Sequence, residues 1–165
     1  MTGAAFDPYR EVLAASVVFE RLAPVDLDAI LARCRLLDVP AGEVVVSEGL
    51  PADGLYVILE GRVEFFLPKQ GPGGLRRASP VRLNVLGPGR CFGEYGLLDD
   101  KPSSASAQTL MPARFCFLPR QDFRRVTEQN DRVGKLIYGN LLQFLVSRLR
   151  CKDQELDVFV LADDR

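Results

Sequence analysis

Glycine and proline divide the sequence between Leu36 and Leu118 into short segments that are rich in β-forming residues. Both residue types favour turns, because glycine tolerates positive φ and proline cannot donate a hydrogen bond to a sheet ladder. Turn signals that recur about every eight to twelve residues are typical of β-sandwiches and jelly-roll barrels. The predicted strands are Leu36–Val39, Glu43–Ser47, Gly54–Glu60, Arg62–Leu67, Val81–Leu86, Ser106–Thr109 and Arg114–Leu118.

One of these segments, Leu55–Leu59, has apolar side chains at every position. Successive side chains of a strand point to opposite faces of its sheet. We therefore expect this strand to be buried on both faces.

The segments on either side of the strands are predicted to be helical. Residues 10–22 form one predicted helix, and Pro24 opens a second, because its missing N–H costs nothing at the first helical position. A short helix is predicted over Gln121–Gln129, and Asn130 is a suitable N-cap for a longer one that begins near Asp131.

The long helix carries leucines at the spacing of a coiled-coil seam. These are Leu142, Leu145 and Leu149, with Ile137, Leu141 and Leu156 nearby. Two interpretations remain open: the helix packs on its own barrel, or it pairs with a second copy of the chain.

The segment Pro68–Pro80 interrupts the strand pattern and is rich in glycine and proline. We expect a mobile hairpin loop here rather than part of the core.

Composition excludes several classes of catalytic site. The chain has no histidine, which removes histidine general bases, imidazole-dependent triads and histidine metal sites. Its cysteines, Cys34, Cys91, Cys116 and Cys151, are scattered without a C-x-x-C pair and are expected to be reduced thiols. We predict neither a catalytic residue nor a metal site, and hence no enzyme.

Net charge and hydropathy limit the classes of partner that this chain is expected to contact. The net charge of −1 is not that of a nucleic-acid-binding surface. No apolar run is long enough to cross a bilayer, and the N-terminus lacks a signal-peptide pattern. The expectation is a cytoplasmic protein that contacts neither DNA nor membrane.

A series of short motifs follows this strand pattern in order. They are Phe19–Leu22, Pro40–Val45, Glu48-Gly49, Leu55–Val63, Gly87–Gly89, Phe92–Glu94 and Leu118–Phe123. Together they resemble the cyclic-nucleotide-binding domain family, the sensor domain of catabolite-activator-like proteins. The resemblance implies a mainly β fold with flanking helices: a double-stranded β-helix (jelly-roll) barrel with N-terminal helices and a long C-terminal helix that closes over the pocket.

On this reading the chain is a single domain. N-terminal helices occupy about 10–35, the barrel about 36–118 and the C-terminal helices about 120–156, followed by a short acidic tail, Ala162–Arg165. The family's transcription factors continue into a DNA-reading domain for which this chain has no room, so DNA reading by that route is not expected.

The run Phe92–Leu98 with Lys101–Ala105 resembles the family's phosphate-binding cassette. The ligand-binding residues that the resemblance implies are Gly93, Glu94, Tyr95, Gly96, Ser103, Ser104 and Ala105. Glu94 would accept a hydrogen bond from the ribose 2′-hydroxyl, and Gly93 would let the backbone approach the sugar. Ser104 and Ala105 would offer a hydroxyl and a backbone N–H to the cyclic phosphate.

Ser103 departs from the family pattern, which has an arginine at this position. A guanidinium gives a bidentate, charge-assisted contact, whereas serine offers a neutral hydroxyl. We expect affinity for a cyclic nucleotide to fall by at least about tenfold. The nearest cations in the sequence that could compensate are Lys101, Arg90 and Arg82.

Two functions follow from these residues. The first is a stand-alone regulatory module that senses cAMP or cGMP weakly or in altered fashion and moves its C-terminal helix in response. In the family a residue of that helix caps the base, which here falls near Cys151–Asp153. The alternative is a degenerate, ligand-free domain that acts as a protein–protein interaction module, which Ser103 and the acidic tail favour.

Overall fold

Two four-stranded antiparallel sheets face each other in the computed structural model, which describes the backbone of residues 3–163 and the side chains of residues 4–155. The first sheet has the order β1-β8-β3-β6 and the second the order β2-β7-β4-β5. The strands are β1 Arg35–Val39, β2 Val44–Val46, β3 Gly54–Glu60, β4 Val63–Leu67, β5 Val81–Leu86, β6 Cys91–Phe92, β7 Ser106–Thr109 and β8 Ala113–Pro119. The expected jelly-roll barrel is confirmed. The two-residue strand β6 was not predicted, because so short a segment carries no periodicity.

Helices flank the barrel at both ends of the described chain, and a further short helix lies between β6 and β7. They are α1 Arg10–Ala15, α2 Pro24–Leu31, α3 Glu94–Asp99, α4 Arg120–Gln129 and α5 Asp131–Asp163, with short 3₁₀ turns at Gly3–Tyr9, Val17–Phe19 and Pro72–Gly74. The helix predicted over residues 10–22 is shorter than expected: it ends at Ala15 and resumes as a 3₁₀ turn. Asn130 caps α5 as predicted, because its Oδ1 accepts a hydrogen bond from the backbone N–H of Val133 at 3.2 Å.

The first sheet separates two hydrophobic cores. Along β3, Leu55, Val57 and Leu59 pack against the helices, while Tyr56 and Ile58 point into the barrel. Strand β8 alternates in the same way. The expectation that β3 is buried on both faces is confirmed, since every residue from Gly54 to Leu59 is buried.

Helix α5 has one buried face and one exposed apolar face. Val133, Ile137 and Leu141 are buried in the helix-side core. An adjacent stripe formed by Tyr138, Leu142, Leu145, Val146 and Leu149 is exposed or half-buried. Leu156 and the acidic tail Ala162–Arg165 lie outside the residues whose side chains the structure describes.

The segment Pro68–Pro80 is anchored to the barrel, contrary to the expectation of a mobile loop. Gln70 and Arg76 form a β-bridge. The Arg77 guanidinium donates two hydrogen bonds to Glu48, at 2.9 and 2.8 Å, and one to the Pro68 carbonyl at 2.8 Å. Bidentate arginine–carboxylate pairing of this kind gives geometric specificity as well as energy.

Among the described residues, no helix combines the length and the apolar character needed to cross a membrane.

Candidate functional site

Most residues of the predicted cassette line a cavity of about 310 Å³ between the barrel and α5. All seven predicted site residues contribute to its wall: Gly93, Glu94, Tyr95, Gly96, Ser103, Ser104 and Ala105. The remaining wall residues are Val46, Ala52, Phe65, Leu83, Asn84, Leu86, Cys91, Phe92, Arg148 and Lys152. The cavity therefore has an apolar side from the barrel strands and a polar side from the cassette and α5.

A glycine-dependent turn places Glu94 at the cavity. Gly93 follows strand β6 with φ +88°, and a Cβ at this position would lie 2.4 Å from the backbone oxygen of Gly54. Only glycine fits both the conformation and the space. The turn starts α3 immediately afterwards, so that Glu94 faces inwards and is buried, with 3% of its surface exposed.

The carboxyl group of Glu94 is perturbed by this burial. Desolvation raises its pKa above the ordinary value, because burial penalises the charged form. Its own backbone N–H and the nearby Arg148 oppose that shift without cancelling it. Arg148 Nη1 lies 3.4 Å from Glu94 Oε1.

The serine segment of the cassette is held through its backbone. The N–H of Gly49 donates to the carbonyl of Ser103 at 2.9 Å, and the N–H of Ser103 donates to the carbonyl of Leu50 at 2.8 Å. Within residues 4–155, no group is hydrogen-bonded to the hydroxyl of Ser103 or of Ser104. Both hydroxyls are thus available to a molecule in the cavity.

Arg120, the first residue of α4, positions the cassette from behind. Its Nη2 donates to the Gly96 carbonyl at 2.9 Å, and its Nε donates to the Ala52 carbonyl at 3.0 Å. Its Nη1 also binds Asp100 at 2.6 Å, just beyond the end of α3. These bonds link α3 to the loop that precedes strand β3 and to the start of α4. Nothing in the sequence singles out Arg120 for this role.

The compensating cations expected from the sequence are not among the residues that line the cavity. Arg82 is paired with Glu64, Arg90 lines a different cavity beside α1, and Lys101 is exposed. Among the residues whose side chains the structure describes, the cations that line the cavity are Arg148 and Lys152, both from α5.

Arg148 is held at the cavity by aromatic contacts as well as by Glu94. Its guanidinium carbon lies 5.6 Å from the centre of the Tyr95 ring and 5.5 Å from that of Phe144. Both separations are within the range of cation–π attraction. Nothing in the sequence distinguishes Arg148 from Arg150 or Lys152, because the face that each presents depends on how α5 packs.

Comparison with known proteins assigns the family. The model of the cyclic nucleotide-binding domain matches residues 36–130, more than half of the chain. The chain belongs to the cyclic nucleotide-binding domain family. Its relatives include a protein of Mycobacterium tuberculosis named a CRP-like cAMP-activated global transcriptional regulator, which is 28% identical over 93% of this chain.

Solved structures agree on the fold of this cyclic nucleotide-binding domain. The crystal structure of the catabolite activator protein of Thermus thermophilus is 33% identical, with a TM-score of 0.70 over 87% of this chain and 63% of that one. A cyclic nucleotide-binding domain from Methylobacillus flagellatus superposes with a TM-score of 0.76 at 22% identity, over 90% of this chain and 80% of that one. The chain spans 64% of the length of the Mycobacterium regulator.

Proposed function

We propose that this domain is a regulatory module that binds a cyclic nucleotide, cAMP or cGMP, in the cavity between the barrel and α5. The observation that carries the proposal is the convergence of all seven predicted ligand-binding residues on that one cavity. The proposed role is binding rather than catalysis.

The polar groups at the cavity suit the parts of such a ligand. The carboxylate of Glu94 can accept a hydrogen bond from the ribose 2′-hydroxyl, and Gly93 leaves room for the sugar. The free hydroxyls of Ser103 and Ser104 can donate to the phosphate. The apolar side chains of Phe65, Leu83 and Leu86 offer a surface to the base.

Serine at position 103 lowers the expected affinity. A neutral hydroxyl cannot offset the charge of a desolvated phosphate as a guanidinium does. We therefore expect weaker binding than in a cassette that carries arginine at this position.

The response to the ligand is a shift in the position of α5, because that helix closes one side of the cavity through Arg148 and Lys152. A ligand that contacts both the barrel and α5 favours the state in which the two are together.

The exposed stripe of α5 further supports a homodimer. Its residues Tyr138, Leu142, Leu145 and Leu149 recur at alternating spacings of four and three, which is the repeat of a self-complementary coiled coil.

A ligand-free interaction module is the second candidate. One observation favours it: Arg148 already forms an ion pair with the carboxylate of Glu94. In that case the arginine would fill the cavity in place of a nucleotide, and α5 would stay closed without a ligand.

Calorimetric titration of the chain with cAMP, cGMP, 2′-deoxy-cAMP and adenosine separates the two candidates. Saturating cyclic nucleotide at about 100 times its Kd should raise the free energy of unfolding by about 2.7 kcal/mol, which thermal denaturation detects. If Glu94 accepts a hydrogen bond from the 2′-hydroxyl, 2′-deoxy-cAMP should bind about 10- to 100-fold more weakly than cAMP. The variant Glu94→Gln should reduce this ratio of the two Kd values. If neither cyclic nucleotide at millimolar concentration gives a heat of binding or raises the free energy of unfolding, the ligand-free interaction module is favoured.

A further inference from the structure

We propose that Arg148 of α5 supplies the positive charge for the ligand's phosphate in place of the residue at position 103. This inference rests on the proposed function, and it assigns to the C-terminal helix a task that the barrel's own cassette cannot perform here. It also defines the ligand class as one that carries a single compact anionic group.

Lys152 and Arg148, the two cations described at the cavity, differ in their exposure and in the groups that they contact. Lys152 is exposed, and its ammonium group is already bonded to the exposed carboxylate of Glu155 at 2.8 Å. Arg148 is half-buried and directed at the cassette, where its guanidinium lies over the Tyr95 ring. Arg148 is therefore the cation that the fold has already brought to the polar side of the cavity.

The guanidinium of Arg148 has hydrogen-bond donors to spare. Within residues 4–155 its side-chain hydrogen bond goes to Glu94 Oε1, and at 3.4 Å that bond is long. An arginine has five N–H donors in a planar fork that matches phosphate oxygens. Donors thus remain for a phosphate while the guanidinium stays beside Glu94.

Charge balance in the cavity also favours a cation beside Glu94. Among the described wall residues Glu94 is the carboxylate, and it is buried, so the cavity without Arg148 would present a negative charge to an anionic ligand. Burial of two like charges together is unfavourable unless a cation lies between them. Arg148 lies next to Glu94 and lines the same cavity as Ser103 and Ser104, so it can interact with both anions.

This arrangement makes ligand binding depend on α5 more directly than a charge on the barrel would. An arginine at position 103 would hold the phosphate whatever the position of α5. When the cation comes from α5 itself, a ligand bound through its phosphate holds that helix against the barrel. We expect cAMP, and not adenosine, to slow hydrogen exchange in the second half of α5.

The test compares Kd values for cAMP and for adenosine in the full chain and four variants. They are Arg148→Gln, Ser103→Arg, the double variant, and Arg150→Gln, an exposed control with the same loss of charge on the same helix. We expect Arg148→Gln to weaken cAMP binding about 10- to 100-fold and to leave adenosine binding unchanged. Ser103→Arg should restore cAMP binding in the Arg148→Gln background, and Arg150→Gln should change neither ligand by more than about twofold.

Each contrary result has a distinct meaning. Equal or tighter cAMP binding by Arg148→Gln would overturn the inference and leave the proposed function standing, because Arg148 would then only neutralise Glu94. An equal loss of cAMP and adenosine binding would overturn it as well, since it would indicate a structural role. If the native chain binds no cyclic nucleotide but Ser103→Arg does, both the proposed function and the role of Arg148 fail.

Discussion

The guanidinium of Arg148 lies 3.4 Å from the buried carboxylate of Glu94, and this contact joins the last helix of the chain to the first turn of α3. Glu94 is 54 positions earlier in the sequence. Both side chains line the same cavity, so a molecule bound there can contact α3 and α5 together.

Glu94→Gln should change how stability depends on pH. Burial raises the pKa of Glu94 in the folded chain above its ordinary value of 4.5, so the folded state binds more protons than the unfolded state between the two values. The stability of the native chain is therefore expected to fall, through this group, as the pH rises from about 4.5 through the raised pKa. Denaturant unfolding at a series of pH values should show the stability of Glu94→Gln, relative to the native chain, increasing across that interval. A constant difference would mean that the carboxyl is not perturbed.

Arg120→Ala should destabilise the fold and loosen the cassette. Arg120 donates to two backbone carbonyls and to Asp100, and its loss leaves partly buried acceptors unpaired, at a cost of about 2–3 kcal/mol. Arg124→Ala is the matched control, because Arg124 binds the same Asp100 at 2.5 Å but is exposed. Its removal should cost no more than about 1 kcal/mol. Equal losses from the two substitutions would show that the backbone contacts of Arg120 contribute little.

Gly93→Ala should be more destabilising than Gly89→Ala. Both glycines have positive φ, +88° and +83°, so each alanine carries a conformational cost of about 1–2 kcal/mol. At Gly89 a Cβ would meet nothing within 4 Å, whereas at Gly93 it would lie 2.4 Å from a strand oxygen. The displacement of that strand should add about 1–3 kcal/mol at Gly93, which chemical denaturation of the two variants would measure. Similar losses of unfolding free energy in the two variants would contradict the close approach of Gly93 to the backbone oxygen of Gly54.

Leu142→Glu with Leu149→Glu should produce a monomer if α5 pairs with a second copy. Both leucines have 63% of their surface exposed, and two carboxylates per chain in a seam would repel their symmetry mates. Gln143→Glu with Gln154→Glu adds the same charge at exposed positions off the stripe and should leave the assembly unchanged. Sedimentation velocity measures the outcome. A native chain that is monomeric at tens of micromolar would remove the dimer from the proposal.

The barrel and its flanking helices could be predicted because their signals are local. Side-chain alternation in Leu55–Leu59 determines which residues face each core, and the Asn130 cap depends on a residue three positions away. The turn after β6 requires a glycine because its φ is positive, and Gly93 is visible in the sequence at that point. Periodicity, capping and turn chemistry operate within a few residues, so a sequence read alone reveals them.

The identity of the cation at the cavity was decided by the tertiary structure alone. The sequence pointed to Lys101, Arg90 and Arg82 because they lie near Ser103 along the chain, yet Arg148 is the cation that contacts Glu94. Its position depends on the burial of Ile137 and Leu141, which sets the rotation of α5 about its own axis. A helix turns by about 100° per residue, so small differences in packing decide which side chain faces the barrel. The sequence alone predicted the fold and the residues that line the cavity, and the long-range packing of one helix determined which cation lies beside them.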